Sequence, residues 1–476
     1  MMSATALDRR RVGFFATFAL LLMWPAAIDG NPLMFFDSPG YYNVGAKVVD
    51  IVTSMVTHKG GGGGGAKAIA ESDSGGAINL RSIAYPIFVY LTSPPVLGVF
   101  GTVIAQGLIA AFMISLLFSA TRVTFPEWGI VFAGMAALTS LPWFAAYLMP
   151  DLFAGLLILF AVLIVQRAEE LGLWPSLALA VIAGLGAASH HSHVPLATAL
   201  ALAVCGLLLL ERRLSWKAVA LAFSPVVLSL GFNLVASTVA FEEPSTAPKR
   251  MPILLARSIG DGPGKKYLEA HCATEKYAIC ELYPEGFPSS AAGVLFGSTG
   301  VTRRATPEQM DRIRAEEMAI LKRVMATYPL EQGWSVARNG IRQVFRFGTA
   351  DFRWADINLV KDSGRPPKLV LSEFQRLEER PILNFFGVIQ YAGVIAAVAA
   401  IGLFAFRDGL RRGRRNREML AIALAGLLAN AALCGGLSAP TDRYQARVIW
   451  IVPLLAGLFW IERRQEREFL AVPALP

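Results

Sequence analysis

The sequence is poor in charged residues, since Asp, Glu, Lys and Arg make up 17% of its 476 positions, whereas soluble domains carry about 25%. This shortage excludes an ordinary soluble protein, and a hydrophobic content of 54% with 29 Phe and 9 Trp excludes a disordered chain. Four cysteines are too few for a disulfide framework. The class that remains is a polytopic membrane protein. Its net charge of +9 then reports on membrane orientation, and we expect no nucleic-acid partner.

Ten apolar segments approach the roughly 20 residues that a membrane-spanning helix needs. They lie at 12–29, 94–118, 128–148, 151–166, 173–190, 194–210, 217–240, 383–405, 418–438 and 446–461. Seventeen Lys and Arg residues fall in the intervening segments that this order places in the cytoplasm, and two, Arg443 and Arg447, fall in the short external turns. The positive-inside rule then places both termini in the cytoplasm. The first 29 residues also fit a cleaved signal peptide, and either interpretation leaves residue 31 outside.

The fold class that follows is an all-α polytopic membrane protein with about ten transmembrane helices. An N-terminal transmembrane module, 1–240, contains a first external loop at 30–82. One α-rich external domain, 241–382, is inserted between spans seven and eight, and residues 383–476 form a C-terminal transmembrane module. The arginine-rich loops fit the inner (cytoplasmic) membrane of a bacterium, which places the external domain in the periplasm.

Two amphipathic helices are predicted in the external domain. In "TPEQMDRIRAEEMAILKRVMATYP", Thr306 is a suitable N-cap and Pro307 occupies the first helical position. Its apolar residues fall near one face, namely Met310, Ile313, Leu321, Val324 and Met325. The second helix is "LEQGWSVARNGIRQVFRF". Such helices either lie on the bilayer surface or pack against each other.

The cysteines divide between the two environments. Cys272 and Cys280 lie in the external domain with seven residues between them, where an oxidising compartment permits a disulfide. Cys205 and Cys434 fall in predicted spans, where a buried cysteine usually acts as a small apolar residue.

The predicted spans carry almost no charge in their interiors, whereas proton and ion pathways usually do. Polar side chains gather instead at the outer ends of spans, in four separate turns. They are Asp37; Asp151; His190, His191 and His193; and Arg443, Tyr444 and Arg447. This co-location on one side of the membrane is the strongest functional signal in the sequence.

Each of these features also has a structural interpretation. Asp37 in "DSPG" fits a turn, Asp151 fits a helix N-cap, and the histidines fit interfacial side chains better than metal ligands. Arg443 and Arg447 fit anchors beside lipid phosphate. The run Gly60–Gly65 lacks the ending of a phosphate-binding loop, so it indicates a flexible segment or a mobile cover over a substrate.

The arrangement resembles the GT-C superfamily of membrane glycosyltransferases. An N-terminal span is followed by an acidic residue in the first external loop and then by "RSIAYPIF", whose Tyr85–Pro86 pair resembles the family's loop ending. "LMPDLFAGLLIL" resembles the second acidic site of the family, and "DRYQARVIWIVPLL" resembles the late segment of bacterial members that use polyprenyl-phosphate sugars.

The resemblance implies an inverting hexosyl or pentosyl transfer from a polyprenyl-phosphate donor to a lipid, polysaccharide or protein acceptor. Asp37 would be the general base, and Asp151 would orient the acceptor or share that role. Arg443 and Arg447 would bind the donor phosphate, because the planar guanidinium binds phosphate bidentately, and Tyr444 would donate a hydrogen bond. Substrate contacts would come from Tyr41, Tyr42, Arg81, Tyr85, His190, His191 and His193. No cofactor is implied with certainty, and a divalent cation held by the histidines stays open.

Two other functions fit the same residues. A phosphoryl or acyl transferase would use a histidine of "SHHSH" as nucleophile or base. A glycolipid transporter or flippase would alternate access across the membrane, although such proteins usually carry polar groups along the path.

Overall fold

The computed structural model of the chain describes residues 9–56, 82–119, 124–241, 244–246, 250–353, 355–360, 368–374, 379–408 and 413–471. Within these residues the chain is mainly helical. The N-terminal helices are Arg9–Leu21, Trp24–Asp29, Ser38–Val56, Ala84–Thr92, Phe100–Phe118, Phe125–Leu138, Leu141–Ala145, Leu152–Arg167, Leu173–Ala188, His193–Leu210 and Trp216–Phe241. The C-terminal helices are Glu379–Asp408, Arg414–Ala431 with a π-helical continuation at Ala432–Gly436, Arg443–Ile449 and Ile451–Ala471.

Long apolar helices identify a membrane protein. Of the described helices, six are long and apolar enough to cross a membrane: Phe100–Phe118, His193–Leu210, Trp216–Val239, Pro381–Arg407, Arg414–Gly436 and Arg443–Gln465. Helices suit this environment because each satisfies its own backbone hydrogen bonds in hydrocarbon. Three further apolar helices are shorter, namely Phe125–Leu138, Leu152–Arg167 and Leu173–Ala188. The predicted class of helical membrane protein is therefore confirmed.

The helix Leu152–Arg167 lies at the centre of the membrane core. Every residue from Leu152 to Val165 is buried, so neighbouring helices surround it and its length is not set by contact with lipid. Its 16 residues span about 24 Å at 1.5 Å per residue. Asp151 immediately precedes it, so a helix enclosed over most of its length fixes the position of that carboxylate.

The first and third predicted spans are each divided into two helices. Thr139 ends the longer part of the third span: its backbone is extended, and its hydroxyl donates to the Met135 carbonyl at 2.6 Å. After the short second helix, Tyr147 forms a parallel β-bridge with Leu33 of the first external loop. The four helices concerned are Arg9–Leu21 and Trp24–Asp29, then Phe125–Leu138 and Leu141–Ala145. The end of an apolar segment therefore serves as a docking site for the loop that contains Leu33.

Within the predicted external domain, 241–382, the residues from Leu255 to Val324 have an apolar core of their own, whereas Phe347, Phe352 and Leu369 belong to the core of the apolar helices. The elements of the range 241–382 are the helices Ile253–Asp261, Pro263–Glu275, Ala278–Leu282, Ala291–Phe296, Val301–Arg304, Pro307–Thr327 and Pro329–Val344, and the strands Ala355–Val360 and Lys368–Phe374. Cys272 and Cys280 form a disulfide with a Cα–Cα distance of 5.7 Å, as the sequence allowed.

The helix Pro307–Thr327 begins as predicted. The Thr306 hydroxyl accepts from the Gln309 backbone, and the Gln309 side chain accepts from the Thr306 backbone, which makes a capping box. The predicted buried face is wrong in part, because Met325 is exposed and Ile320 is fully buried. The core-facing residues are Met310, Ile313, Glu317, Ile320 and Val324.

The two strands form an antiparallel hairpin that the all-α prediction missed. They pair with Ile357 opposite Leu371 and Leu359 opposite Leu369, after an irregularity near Ala355. The Asn43 side chain, on the helix of the first loop, donates to the Leu369 carbonyl and accepts from the Leu369 N–H at 3.1 and 2.8 Å. The hairpin therefore joins the external domain to the first loop.

Candidate functional site

The structure brings most of the predicted polar residues together at one end of the membrane helices. The first loop is fastened there by backbone hydrogen bonds: Leu33 N–H donates to the Ala146 carbonyl, and Leu148 N–H donates to the Leu33 carbonyl, both at 2.9 Å. The Ser38 hydroxyl adds a bond to the Leu148 carbonyl at 3.0 Å. This docking places the start of the loop helix beside the segment that ends at Asp151.

An ion cluster forms the centre of the site. One carboxylate oxygen of Asp151 lies 3.3 Å from Arg447 Nη1 and 3.8 Å from Arg443 Nε. The aspartate and Arg447 are both buried. Charges in such surroundings are stable only when they are paired and hydrogen-bonded, so the arginines compensate the Asp151 carboxylate.

Arg447 is fully engaged by protein groups and is only 1% exposed. Its Nη2 donates to the Asn430 side-chain oxygen at 2.9 Å, to the Cys434 sulfur at 3.0 Å and to the Ser192 hydroxyl at 3.3 Å. Cys434 therefore does more than fill space as a small apolar residue. This arginine organises the site, and its side chain reaches the span of Asn430, the turn of Ser192 and the carboxylate of Asp151.

Close helix packing brings Arg447 to Asp151. The helix Arg443–Ile449 lies against the start of Leu152–Arg167 at Gly155. A Cβ atom at Gly155 would come within 2.7 Å of the Arg447 carbonyl oxygen and of the Trp450 ring. A glycine is thus required where the helix carrying the arginines approaches the helix that follows the aspartate.

Arg443 is the more available arginine. Its guanidinium stacks over the Phe35 ring at 4.3 Å, while its backbone N–H donates to the Asp351 carboxylate at 2.9 Å. Its Nη1 atom is buried and has no hydrogen-bond partner among the described residues. One donor of the planar group is therefore left without an acceptor among the described residues.

Two more buried polar atoms in this region lack a partner within the described part of the chain: the Tyr147 hydroxyl and His193 Nε2. His193 Nδ1 donates to the Gly186 carbonyl at 2.8 Å, so Nε2 carries the lone pair of the neutral ring. The Tyr147 hydroxyl lies beside the Arg443 guanidinium. A buried polar group without a partner costs about 1–3 kcal/mol, so these atoms mark a place for ligand or solvent groups.

Tyr41 of the first loop and Tyr85 of the next helix lie in the same region, near Asp151. Tyr41 packs edge-on against Tyr85, with ring centroids 4.9 Å apart, and the Tyr85 hydroxyl donates to Gln106 at 2.8 Å. Burial, reinforced by the nearby Asp151 carboxylate, raises the pKa of the Tyr41 hydroxyl above its usual value, so it stays a proton donor. Tyr42 packs against Tyr90.

Asp37 lies at the start of the loop helix Ser38–Val56. Its carbonyl oxygen accepts from the Tyr41 N–H at 3.2 Å, and its side chain is half-buried. It is two residues from Phe35, whose ring stacks on Arg443. The predicted base therefore lies on the segment that contacts the arginine. Arg81 and the glycine run 60–65 lie outside the described residues.

The three predicted histidines do not form a common metal site. The rings of His190 and His193 are 5.2 Å apart, but His190 Nδ1 pairs with the Ser192 hydroxyl at 2.8 Å, and His193 Nδ1 pairs with a carbonyl. His191 is half-buried in the same turn. In the described parts of the chain, three or more His, Cys, Asp or Glu side chains nowhere gather within reach of one metal ion.

Sequence reasoning missed several residues of the site. Asn430 and Cys434, which hold Arg447, lie inside an apolar span, and an amide in such a span was a usable signal. Tyr147 and Asp351 had no distinguishing pattern, because the first lies in a segment predicted to be a span and the second in the predicted external domain.

In comparisons with known proteins, the chain matches no family model, no curated protein and no solved structure.

Proposed function

We propose that this protein is a GT-C-like membrane glycosyltransferase that moves a sugar from a polyprenyl-phosphate donor to an acceptor at the external face of the membrane. The observation that carries the proposal is the Asp151–Arg443–Arg447 cluster at one end of apolar helices, in which Asp151 and Arg447 are buried and one Arg443 donor has no partner among the described residues. A lipid phosphate enters from the bilayer and needs cations at the depth of its head group. The cluster supplies a guanidinium there, and guanidinium is the preferred partner of phosphate.

The proposal includes the finer topology of ten spans, with both termini in the cytoplasm and residues 241–382 outside. Two features support it. Trp174 and Trp216 lie at the starts of helices, in the turns that contain Arg167 and Arg212–Arg213, and are 78% and 88% exposed, as interfacial tryptophans are. The disulfide Cys272–Cys280 fits an oxidising compartment for the external domain.

The residues then divide the work as follows. The acceptor hydroxyl attacks the anomeric carbon and gives its proton to Asp37, while the bond between that carbon and the phosphate oxygen breaks with inversion. The electron pair leaves with the polyprenyl phosphate, whose growing charge Arg443 stabilises. Asp151 is tied to both arginines, so it serves as the group that orients them, and Asp37 is the better candidate for the base.

A deletion of the gene in its native host tests the proposal, with mass spectrometry of envelope glycans and polyprenyl-phosphate lipids. We expect one sugar to disappear from the glycans and its lipid donor to accumulate. Wild type restores the glycan, and Asp37→Asn lowers the transfer rate by about 10²–10⁴-fold. Full rescue by Asp37→Asn removes the proposed base. Unchanged glycans and carriers in the deletion strain oppose sugar transfer and favour a transporter or flippase.

A second enzymatic function draws support from His193. Its buried Nε2 carries a lone pair and has no hydrogen-bond partner among the described residues, which suits a base for phosphoryl or acyl transfer. In that case His193→Gln abolishes activity and Asp37→Asn retains much of it. A sugar transferase with Asp37 as base gives the opposite order for the two variants.

A further inference from the structure

The helix Pro329–Val344, with its C-cap Phe345, turns its apolar face away from the protein. Four large apolar side chains on it are between 57% and 86% exposed: Leu330, Trp334, Ile341 and Phe345. The opposite face is polar and buried, and consists of Gln332, Ser335, Asn339 and Gln343. This is the reverse of a helix that packs on a soluble domain, whose apolar stripe faces the core.

Specific hydrogen bonds fix this orientation. Gln343 accepts from the Thr441 N–H at 3.0 Å and donates to the Thr441 carbonyl at 2.8 Å. The Asn339 amide donates to the Asp261 carboxylate at 3.1 Å. Gly435 approaches so closely that a Cβ there would lie 2.5 Å from the Asn339 carbonyl oxygen. Rolling the helix to bury its apolar face would break all of these contacts.

The neighbouring spans give the depth of this helix. The Phe345 carbonyl accepts from the Tyr391 hydroxyl at 3.0 Å. Tyr391 lies about 24 Å along its helix from Arg407, and Gly435 lies about 32 Å along its own from Arg414, at 1.5 Å per residue. The hydrocarbon core of a bilayer is about 30 Å thick. Arg407 and Arg414 mark one boundary of the hydrocarbon for these two spans. The distances place the helix Pro329–Val344 at the opposite boundary.

The chemistry of the exposed face fits that boundary. Tryptophan is enriched at the level of lipid head groups, and Trp334 is at the centre of the face. Arg342 is exposed beside Ile341, where a guanidinium can reach lipid phosphate while its stem lies on apolar surface. The helix also contacts two apolar helices long enough to cross a membrane, through Tyr391 at its C-terminal end and Gly435 on its buried face.

We infer that the apolar face of Pro329–Val344 is inserted into the head-group and acyl-chain boundary of the outer leaflet, with phospholipid as its partner. Because Gln343 holds Thr441, two residues before Arg443, this contact also steadies the segment that carries the arginines. The inference depends on the basic residues of the segment 407–417 lying on the cytoplasmic side, and it does not depend on the reaction proposed above.

Fluorescence quenching of the full chain in phosphatidylethanolamine–phosphatidylglycerol nanodiscs tests the inference. The background carries Cys205→Ala and Cys434→Ser, so that an environment-sensitive probe labels a single introduced cysteine while the disulfide is kept. The test site is Ile341→Cys, and the control is Lys322→Cys, which is exposed on the helix Pro307–Thr327. The control reports on the same domain away from the proposed contact.

For the Ile341 probe we expect lipids with a shallow spin label to remove at least half of the emission, with aqueous iodide having little effect. For the Lys322 probe we expect strong quenching by aqueous iodide and little quenching by the spin-labelled lipids. Leu330→Cys repeats the test at the other end of the face if the first variant folds poorly. Equal iodide quenching at both sites overturns the inference. Energy transfer between labelled copies without quenching by spin-labelled lipid also overturns it, and makes a second copy the partner.

Discussion

The ion cluster predicts strong coupling between Asp151 and Arg447. Asp151→Asn leaves the Arg447 guanidinium charged and 1% exposed, with Asn430, Ser192 and Cys434 as its remaining partners. Removal of one member of a buried ion pair costs about 3–5 kcal/mol. Arg447→Met removes the other member and leaves the carboxylate with Arg443 alone at 3.8 Å. We expect each single variant to lose stability on this scale.

A double-mutant cycle measures the coupling. Unfolding of the purified chain in mixed micelles of dodecyl maltoside and increasing SDS, followed by tryptophan fluorescence, gives a free energy for each variant. The double variant is expected to lose less than the sum of the single losses, by about 1–3 kcal/mol. The control, Lys266→Gln, removes an exposed ion pair with Glu331 and is expected to change nothing measurable. Additive losses, or wild-type stability of Asp151→Asn, would refute the role assigned to the pair.

Three further predictions concern packing, the disulfide and pH. Gly155→Ala places a Cβ 2.7 Å from the Trp450 ring and is expected to cost about 1–3 kcal/mol in the same unfolding assay, whereas Gly231→Ala, in open space, is expected to be close to neutral. Replacing both disulfide cysteines by serine is expected to lower the stability of the external domain by about 2–3 kcal/mol, measured by proteolysis of that domain with and without reductant. Burial raises the pKa of the Glu317 carboxyl above 4.5, so the contribution of this group to stability is fully present below pH 4.5 and is lost as pH rises through the raised pKa. We expect Glu317→Gln to reduce the dependence of the unfolding free energy on pH in this range, measured in a pH series of unfolding curves. An unchanged pH dependence in the variant would show that another group causes it.

The sequence was sufficient to predict the class of the fold and to predict that the polar residues of the candidate site gather at one end of the apolar helices. Apolar runs predict helices in hydrocarbon directly, since the bilayer permits few other structures. The division of the third predicted span at Thr139 was beyond this reasoning, because its hydropathy continues through the break. The hairpin was missed because two short strands in a polar domain carry little periodic signal, and what holds them to the first loop is Asn43, 326 residues away from Leu369.

For the helix Pro329–Val344, the sequence predicts the helix but not the partner of its apolar face. Its amphipathic pattern predicts a helix with one apolar face, but the pattern is identical whether that face meets lipid or protein. The choice is made by Gln343 and Asn339, whose partners Thr441 and Asp261 are distant in sequence. Polar residues at the buried positions of a helix thus decide which of its faces is exposed.

The different positions of Arg443 and Arg447 explain why site residues were easier to find than their roles. A spacing of four places both on one helical face, and from the sequence they are equivalent phosphate ligands. Tertiary contacts make them unequal. Asn430 and Cys434 come from a helix that packs closely against Arg447 and occupy its donors, whereas Phe35 covers the face of Arg443 and leaves its Nη1 unpartnered among the described residues. A guanidinium whose donors are occupied holds structure together, and Arg443 keeps one donor without an acceptor among the described residues, so the proposed function gives the phosphate contact to Arg443.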